Sequence, residues 1–190
     1  MRVIAGRLRG RRLVAPRGLA TRPTSDRVRE ALFSALGPVG GARVLDLFAG
    51  TGALGIEALS RAAARAVFVE SARPALAALR ENLAALDLRD AARVVAQPAA
   101  RAAAALGAEG PFDLIFADPP YAALAEVPPL VAALASAGAL APGARFVLEH
   151  ASRDAAPALP GLSGRPSRTY GDTAVTIYDA DAPAPAGPLS

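Results

Sequence analysis

Val44-Leu45-Asp46-Leu47-Phe48-Ala49-Gly50-Thr51-Gly52-Ala53-Leu54-Gly55 begins as an apolar run and ends as the first turn of a helix, with glycines at the join. Glycines there permit a tight turn and close backbone approach, and the helix start that follows attracts an anion. The same alternation recurs along the chain. Short apolar strands are predicted at Val44–Phe48, Ala66–Glu70, Ala92–Ala96, Phe112–Ala117 and Arg145–Glu149. Alanine-rich helices are predicted between them, near 54–63, 73–87, 98–107 and 123–137. Strand–helix alternation with buried strands predicts a doubly wound α/β fold around a mostly parallel, seven-stranded sheet. Two further strands, near 166–170 and 173–179, meet at Gly171-Asp172 and read as an antiparallel hairpin closing that sheet.

Outside this core lie two flanks. Residues 1–36 form a small appendage: short alternating stretches at Arg2–Ala5 and Arg12–Ala15 around Gly6 and Gly10 predict a hairpin. Thr24, Ser25 and Asp26 then offer caps to a helix through about Leu36, with Val28, Ala31, Leu32 and Ala35 as its apolar face. Residues 37–179 make the main domain, and the Ala-Pro-rich 180–190 is expected to be a disordered tail. The 190 residues suffice for one full core plus such an appendage.

Composition excludes several chemistries. There is no cysteine and one histidine, His150, so neither a disulfide framework nor a thiolate or imidazole metal site is expected. A reducing, cytoplasmic setting fits, and no signal peptide is expected behind the arginine-rich start. The uncharged stretch Val127 to Ala144 carries Pro128, Pro129, Pro142 and Gly138, and reads as an amphipathic helix and loop rather than a membrane span. All 21 basic residues are arginine, and nine lie in residues 1–29 against one acid, Asp26. A basic arm on a mildly acidic domain is the footprint of polyanion binding.

Asp118-Pro119-Pro120-Tyr121 follows the fourth strand. The prolines fix φ and stop onward strand pairing, so the Asp118 side chain and the Pro119 carbonyl are expected to face a cleft. Both are acceptors, matching the two donors of an exocyclic amine on a nucleobase, and Tyr121 offers a flat face for stacking. The bland alternative is a proline-rich turn. The glycines formally match the dinucleotide pattern, so the anion could be a pyrophosphate or the carboxylate of S-adenosylmethionine. Glu70 is placed to accept both ribose hydroxyls in either case. Asp46 suits a cationic sulfonium ligand with an α-amino group better than a pyrophosphate, and a hydride-transfer enzyme has no use for the amine slot. The methyl donor is therefore the favoured cofactor.

Together, Asp46–Gly55 and Asp118–Tyr121 resemble the class I S-adenosylmethionine-dependent methyltransferases, with their Rossmann-like fold, that act on exocyclic amines of adenine or guanine. More specifically, Met1-Arg2-Val3-Ile4-Ala5-Gly6 with Arg9-Gly10-Arg11, then Arg22-Pro23-Thr24-Ser25-Asp26-Arg27-Val28-Arg29-Glu30-Ala31-Leu32-Phe33, resemble the RsmD family. The likeness runs to about residue 179 and includes Tyr170-Gly171-Asp172-Thr173. Members of that family methylate the N2 amine of one guanine (position 966) in bacterial 16S ribosomal RNA.

The resemblance implies a catalytic slot of Asp118, Pro119, Pro120 and Tyr121. It implies a cofactor site of Asp46, Phe48, Gly50, Thr51, Gly52, Gly55 and Glu70. Where such enzymes usually carry an Asp that reads the cofactor's adenine amine, this chain has Pro98, so adjacent Gln97 is the candidate. The implied RNA contacts are Arg7, Arg9, Arg11, Arg12, Arg22 and Arg27. The expected partner is 16S rRNA or the small subunit, with no metal and no membrane, and the expected state is a monomer. His150, alone at a strand end, is expected to be structural, and Tyr170 to pack within the terminal hairpin. The rival classes are an adenine-N6 nucleic-acid methyltransferase, a glutamine-amide methyltransferase and a non-catalytic ribosome-binding module.

Overall fold

The computed structural model describes residues 1–15 and 26–180, apart from the side chain of Tyr121. Arg22, the expected caps Thr24 and Ser25, and the expected 180–190 tail beyond Ala180 lie outside the described residues; Ala180 itself is the last residue of a strand rather than part of a tail. Helix α1 (Asp26–Leu36) precedes β1 (Arg43–Leu47), α2 (Ala53–Ser60), β2 (Arg65–Glu70), α3 (Arg73–Ala85) and β3 (Ala92–Ala96). Then come α4 (Ala99–Glu109), β4 (Phe112–Ala117), a 3₁₀ turn at Tyr121–Glu126, α5 (Val127–Ser136) and β5 (Leu140–Ala151). Three last strands, β6 (Leu162–Gly164), β7 (Arg168–Tyr170) and β8 (Thr173–Ala180), complete the described residues.

The strands form one sheet in the order β3-β2-β1-β4-β5-β8-β6, with β7 also on β8. β1 to β5 are parallel neighbours, and β8 runs antiparallel to β5. This is the doubly wound, mostly parallel α/β arrangement that the alternation predicts. The sheet has eight strands rather than seven, because β6 and β7 pair with opposite halves of the same edge of β8. After β3 the chain returns to the other side of β1, so the crevice of the sheet opens where Asp46 pairs with Phe116 and Leu47 with Ala117.

Period-two alternation splits the buried side chains into two cores. One face sends Val44, Phe68, Leu114, Phe116, Val147, Val175 and Ile177 against α1, α2 and α3, and Val3, Leu8 and Leu13 of the N-terminal segment join this core. The other face sends Leu45, Val67, Ile115, Phe146 and Leu148 against α4 and α5.

Three local differences from the sequence reading have physical causes. β5 starts five residues before the predicted Arg145, because Pro142-Gly143 lies on a register shift opposite Phe112 and Leu114, where a missing N–H costs little. The predicted start of the fourth crossover helix is a 3₁₀ turn, and the α-helix begins at Val127 with its prolines in the first turn. The N-terminal hairpin is short: the Arg2–Arg12 bridge is flanked by the Val3 N–H on the Arg11 carbonyl and the Leu13 N–H on the Met1 carbonyl. Pairing stops there because the next amides, of Ile4, Ala5 and Val14, go to side chains of α2 and α3.

Candidate active site

The glycine loop leaves β1 in an unusual backbone conformation. Phe48 (φ 57), Gly50 (φ 55) and Gly52 (φ 82) are all left-handed, and for the phenylalanine this is a strained position of the kind that clusters at ligand sites. Gly55 is required by close approach, since a Cβ there would lie 2.3 Å from the Phe68 ring. Two carboxylates hold the loop in shape. Glu70 Oε2 accepts the Gly50 N–H at 2.8 Å, while Oε1 accepts the N–H groups of Ser71 and Ala72, each at 2.7 Å. This fixes the carboxylate plane at the loop mouth and leaves an Oε2 lone pair for a hydroxyl.

Asp46 Oδ2 accepts the Gly55 N–H at 2.8 Å at the start of α2. Burial pushes its carboxyl up to about 8, opposed by the Gly55 hydrogen bond and aided by the nearby Glu70 charge. A buried acid in this state prefers a proton unless a cationic group sits beside it. That fits the ammonium end of S-adenosylmethionine, so the donor set suits this cofactor. Thr51 is half-buried in the loop, and Gln97 is half-buried directly after β3, two strands from Asp46.

On the neighbouring strand, Asp118 is half-buried one residue past β4, Pro119 is buried and Pro120 exposed. Counting along the paired strands, Glu70, Asp46 and Asp118 fall on the α1–α3 side of the sheet at its carboxyl ends. These three of the expected site residues are thus brought to one crevice. A narrow cleft beside Pro119 is lined by Leu124, Glu149 and His150. Glu149 escaped the sequence reading, although an acid ending an apolar strand was a visible signal. His150 is buried, with Nδ1 3.1 Å from the Ala151 carbonyl and Nε2 3.0 Å from Thr176 Oγ1. Among the described residues no cluster of acids and imidazoles could hold a metal ion, and no helix is long and apolar enough to cross a membrane.

The family model described as Conserved hypothetical protein 95 matches residues 1–179. Ribosomal RNA small subunit methyltransferase D of Escherichia coli K12 is 48% identical over 122 residues, 64% of this chain and 60% of that protein. The Haemophilus influenzae protein of the same name is 39% identical over 123 residues, 64% of each. These alignments therefore span less than two thirds of the curated relatives' own length. The solved structure of yhhF from Escherichia coli superposes with a TM-score of 0.82 at 39% identity, covering 96% of this chain and 99% of that one. An RNA methyltransferase from Salinibacter ruber, in complex with S-adenosyl-L-homocysteine, shares the fold at a TM-score of 0.64 and 16% identity, covering 86% of this chain and 96% of that one.

The chain belongs to the RsmD family of S-adenosylmethionine-dependent methyltransferases.

In this RsmD-family chain the basic arm is bolted to the helix that follows the glycine loop. Buried Glu57 on α2 accepts the N–H groups of Ile4 (2.7 Å) and Ala5 (3.0 Å) and pairs with Arg61 (2.8 Å). Ser60 Oγ donates to the Ala5 carbonyl at 2.5 Å and accepts from the Leu8 N–H at 3.0 Å. Gly6 (φ 79) passes so close that a Cβ would lie 1.9 Å from the Ser60 carbonyl oxygen. Asn82 on α3 accepts the Val14 N–H at 2.7 Å and donates to the carbonyls of Val14 (3.2 Å) and Thr51 (3.1 Å).

Of the arm's arginines, Arg7, Arg9, Arg11, Arg12 and Arg27 are exposed, and Arg11 Nη2 reaches the Ala85 carbonyl at 3.0 Å. Arg29, counted with the basic arm, is instead buried, its Nη2 donating to the Arg2 carbonyl at 2.6 Å and to Asp26 at 2.7 Å. Glu57, Ser60 and Asn82 were not singled out from the sequence. Their signal was polar residues on helix faces that are otherwise buried and apolar.

Proposed function

We propose that the chain methylates the exocyclic N2 amine of one guanine, position 966, in 16S rRNA of the small ribosomal subunit. The observation that carries this reading is the Glu70-braced glycine loop beside the Asp118 slot, on adjacent strands at the switch point of the sheet. In this reading residues 1–36 are the RNA-contacting extension and 37–179 the catalytic domain, acting as a cytoplasmic monomer.

S-adenosylmethionine supplies an electrophilic methyl group when bound. Asp46 would hold the positive end of the cofactor, Glu70 its ribose hydroxyls, and Phe48, Gly50, Thr51, Gly52, Gly55 and Gln97 its remaining edges. The exposed arginines Arg7, Arg9, Arg11, Arg12 and Arg27, with Arg22, grip phosphates while the target base leaves its stack. Asp118 and the Pro119 carbonyl accept the two N–H donors of the amine and so aim its lone pair; Pro120 fixes the turn and Tyr121 stacks on the base. Positioning does most of the work, and no separate strong base is needed because the amine becomes acidic once alkylated. The test is incubation with radiolabelled S-adenosylmethionine and unmodified small subunits, naked 16S rRNA or DNA, followed by nucleoside analysis. N2-methylguanine is expected. Labelled N6-methyladenine would sink the assignment.

A further inference from the structure

On the same side of the sheet as the slot, a groove of about 290 Å³ separates α1 from the terminal hairpin. Its floor is Val175 and Ile177 of β8, one wall is Leu32 and Ala35 of α1, and its outer wall is Arg165, Arg168 and Tyr170. Cross-strand partners share a face, so Arg168 opposite Val175 and Tyr170 opposite Thr173 stand on the α1 side. Val175 in turn pairs with Glu149 on β5, and Leu148 with Ala117 on β4. Arg168, Val175, Glu149 and Asp118 therefore lie in one row across the carboxyl end of the sheet, and three strand spacings put Arg168 about 14 Å from the slot.

The charges facing this groove are not balanced evenly along it. At its far end Arg165 forms two 2.6 Å bonds to Asp179, whose carboxyl is held below its usual range by Arg165, with a further contribution from Arg145. That end is neutralised. At the near end Asp172 sits in the turn after Tyr170, and Glu30 is exposed on α1. Arg168 is exposed there and makes no ion pair among the described residues. A guanidinium beside a half-buried phenol ring and a short apolar floor matches one nucleotide: phosphate on the cation, base against the ring.

We infer that this groove is an RNA subsite that takes a nucleotide flanking the target, with Arg168 on its phosphate and Tyr170 against its base. The inference rests on the rRNA reading above and extends it to a second surface, separate from the arginine arm. It makes the substrate a strand that enters along β8 and turns into the slot beside β4.

The experiment measures anisotropy of a fluorescent 16S rRNA fragment bearing the target guanine, as a function of salt, for wild type, Arg168→Glu, Tyr170→Ala, Tyr170→Phe and Arg101→Glu. Arg101 is an exposed arginine on α4, on the opposite face, and controls for net charge. Arg168→Glu is expected to weaken RNA binding about tenfold and to flatten the log–log salt slope by about 0.7, one phosphate on a single strand. Tyr170→Ala should weaken it about fivefold or more, and Tyr170→Phe hardly at all. S-adenosylmethionine affinity should be unchanged in every variant, which checks that each is folded. An Arg168→Glu protein that binds RNA like Arg101→Glu overturns the subsite while leaving the rRNA reading intact. Wild type that binds this RNA no better than a DNA of the same length overturns both. If the Arg168 effect holds while the nucleoside product is another methylated base, the subsite stands and the guanine assignment falls.

Discussion

The two faces of the sheet are built from the same strands yet do different work. Under α4 and α5 the core is mostly aliphatic and aromatic, with Leu45, Leu47, Val67, Val69, Ile115 and Phe146 closed over by Leu106 and Val131. The buried His150–Thr176 pair at its edge bonds within the sheet rather than to the arm or the loop. Under α1, α2 and α3, buried polar residues sit among the apolar ones, among them Arg29, Asp46, Glu57, Ser60 and Asn82. Each of those named is costly to bury and each is hydrogen-bonded to backbone of the arm or the glycine loop, or, for Arg29, to the arm and Asp26. One face supplies mainly cohesion. The other gives up some cohesion to fix the shape of the loop and the arm.

Substitutions can break that contrast. Asp118→Ala should lower turnover about a hundredfold or more while cofactor affinity, by calorimetry, stays as in wild type. A mutant keeping most of its rate would show the slot to be mere shape. On the opposite face, Leu106→Ala should cost about 2–5 kcal/mol in urea unfolding, yet leave the turnover of the folded fraction unchanged. A parallel fall in rate would mean that both faces shape the site. Glu57→Gln should cost about 1–3 kcal/mol, because it weakens the bonds to two arm amides. Hydrogen exchange should speed up at Ile4 and Ala5 and not at Ile115.

Asp46 gives the most diagnostic effect. Its folded carboxyl titrates near 8, above the ordinary 3.8, so the folded state holds the proton more tightly. Stability from this group is full below about 4 and is lost as pH rises toward 8, by at most about 1.4 kcal/mol per pH unit. Urea midpoints of the cofactor-free protein should fall from pH 5 to pH 8, and Asp46→Asn should flatten the trend. Cofactor affinity should rise over the same interval in wild type only, since a bound ammonium displaces the proton.

The strands were legible because each is a short apolar run closed by a charge, glycine or proline, as at Phe112–Ala117 before Asp118-Pro119 and at Ala66–Glu70. Asp46, Glu70 and the glycines were legible as a motif, because their spacing is local. What the sequence hid is tertiary. Glu57 meets Ile4 across 53 residues, and Asn82 meets Val14 across 68. Arg29 looked like one more arm arginine, since helical periodicity alone does not separate a buried guanidinium from an exposed one. β6 at Leu162–Gly164 has too little side chain to read as a strand, and forms because the edge of β8 offers unpaired backbone groups.

The amide of Asn82 touches Val14 and Thr51 at once, so a single side chain is shared between the basic arm and the glycine loop. Order gained on one side lowers the entropy cost of order on the other, and such linkage is reciprocal. Under the proposed function, an enzyme with RNA on its arm should hold the cofactor more tightly by the same factor that a cofactor-loaded enzyme gains for RNA. Asn82→Ala would then leave each affinity measurable alone and erase the ratio between them.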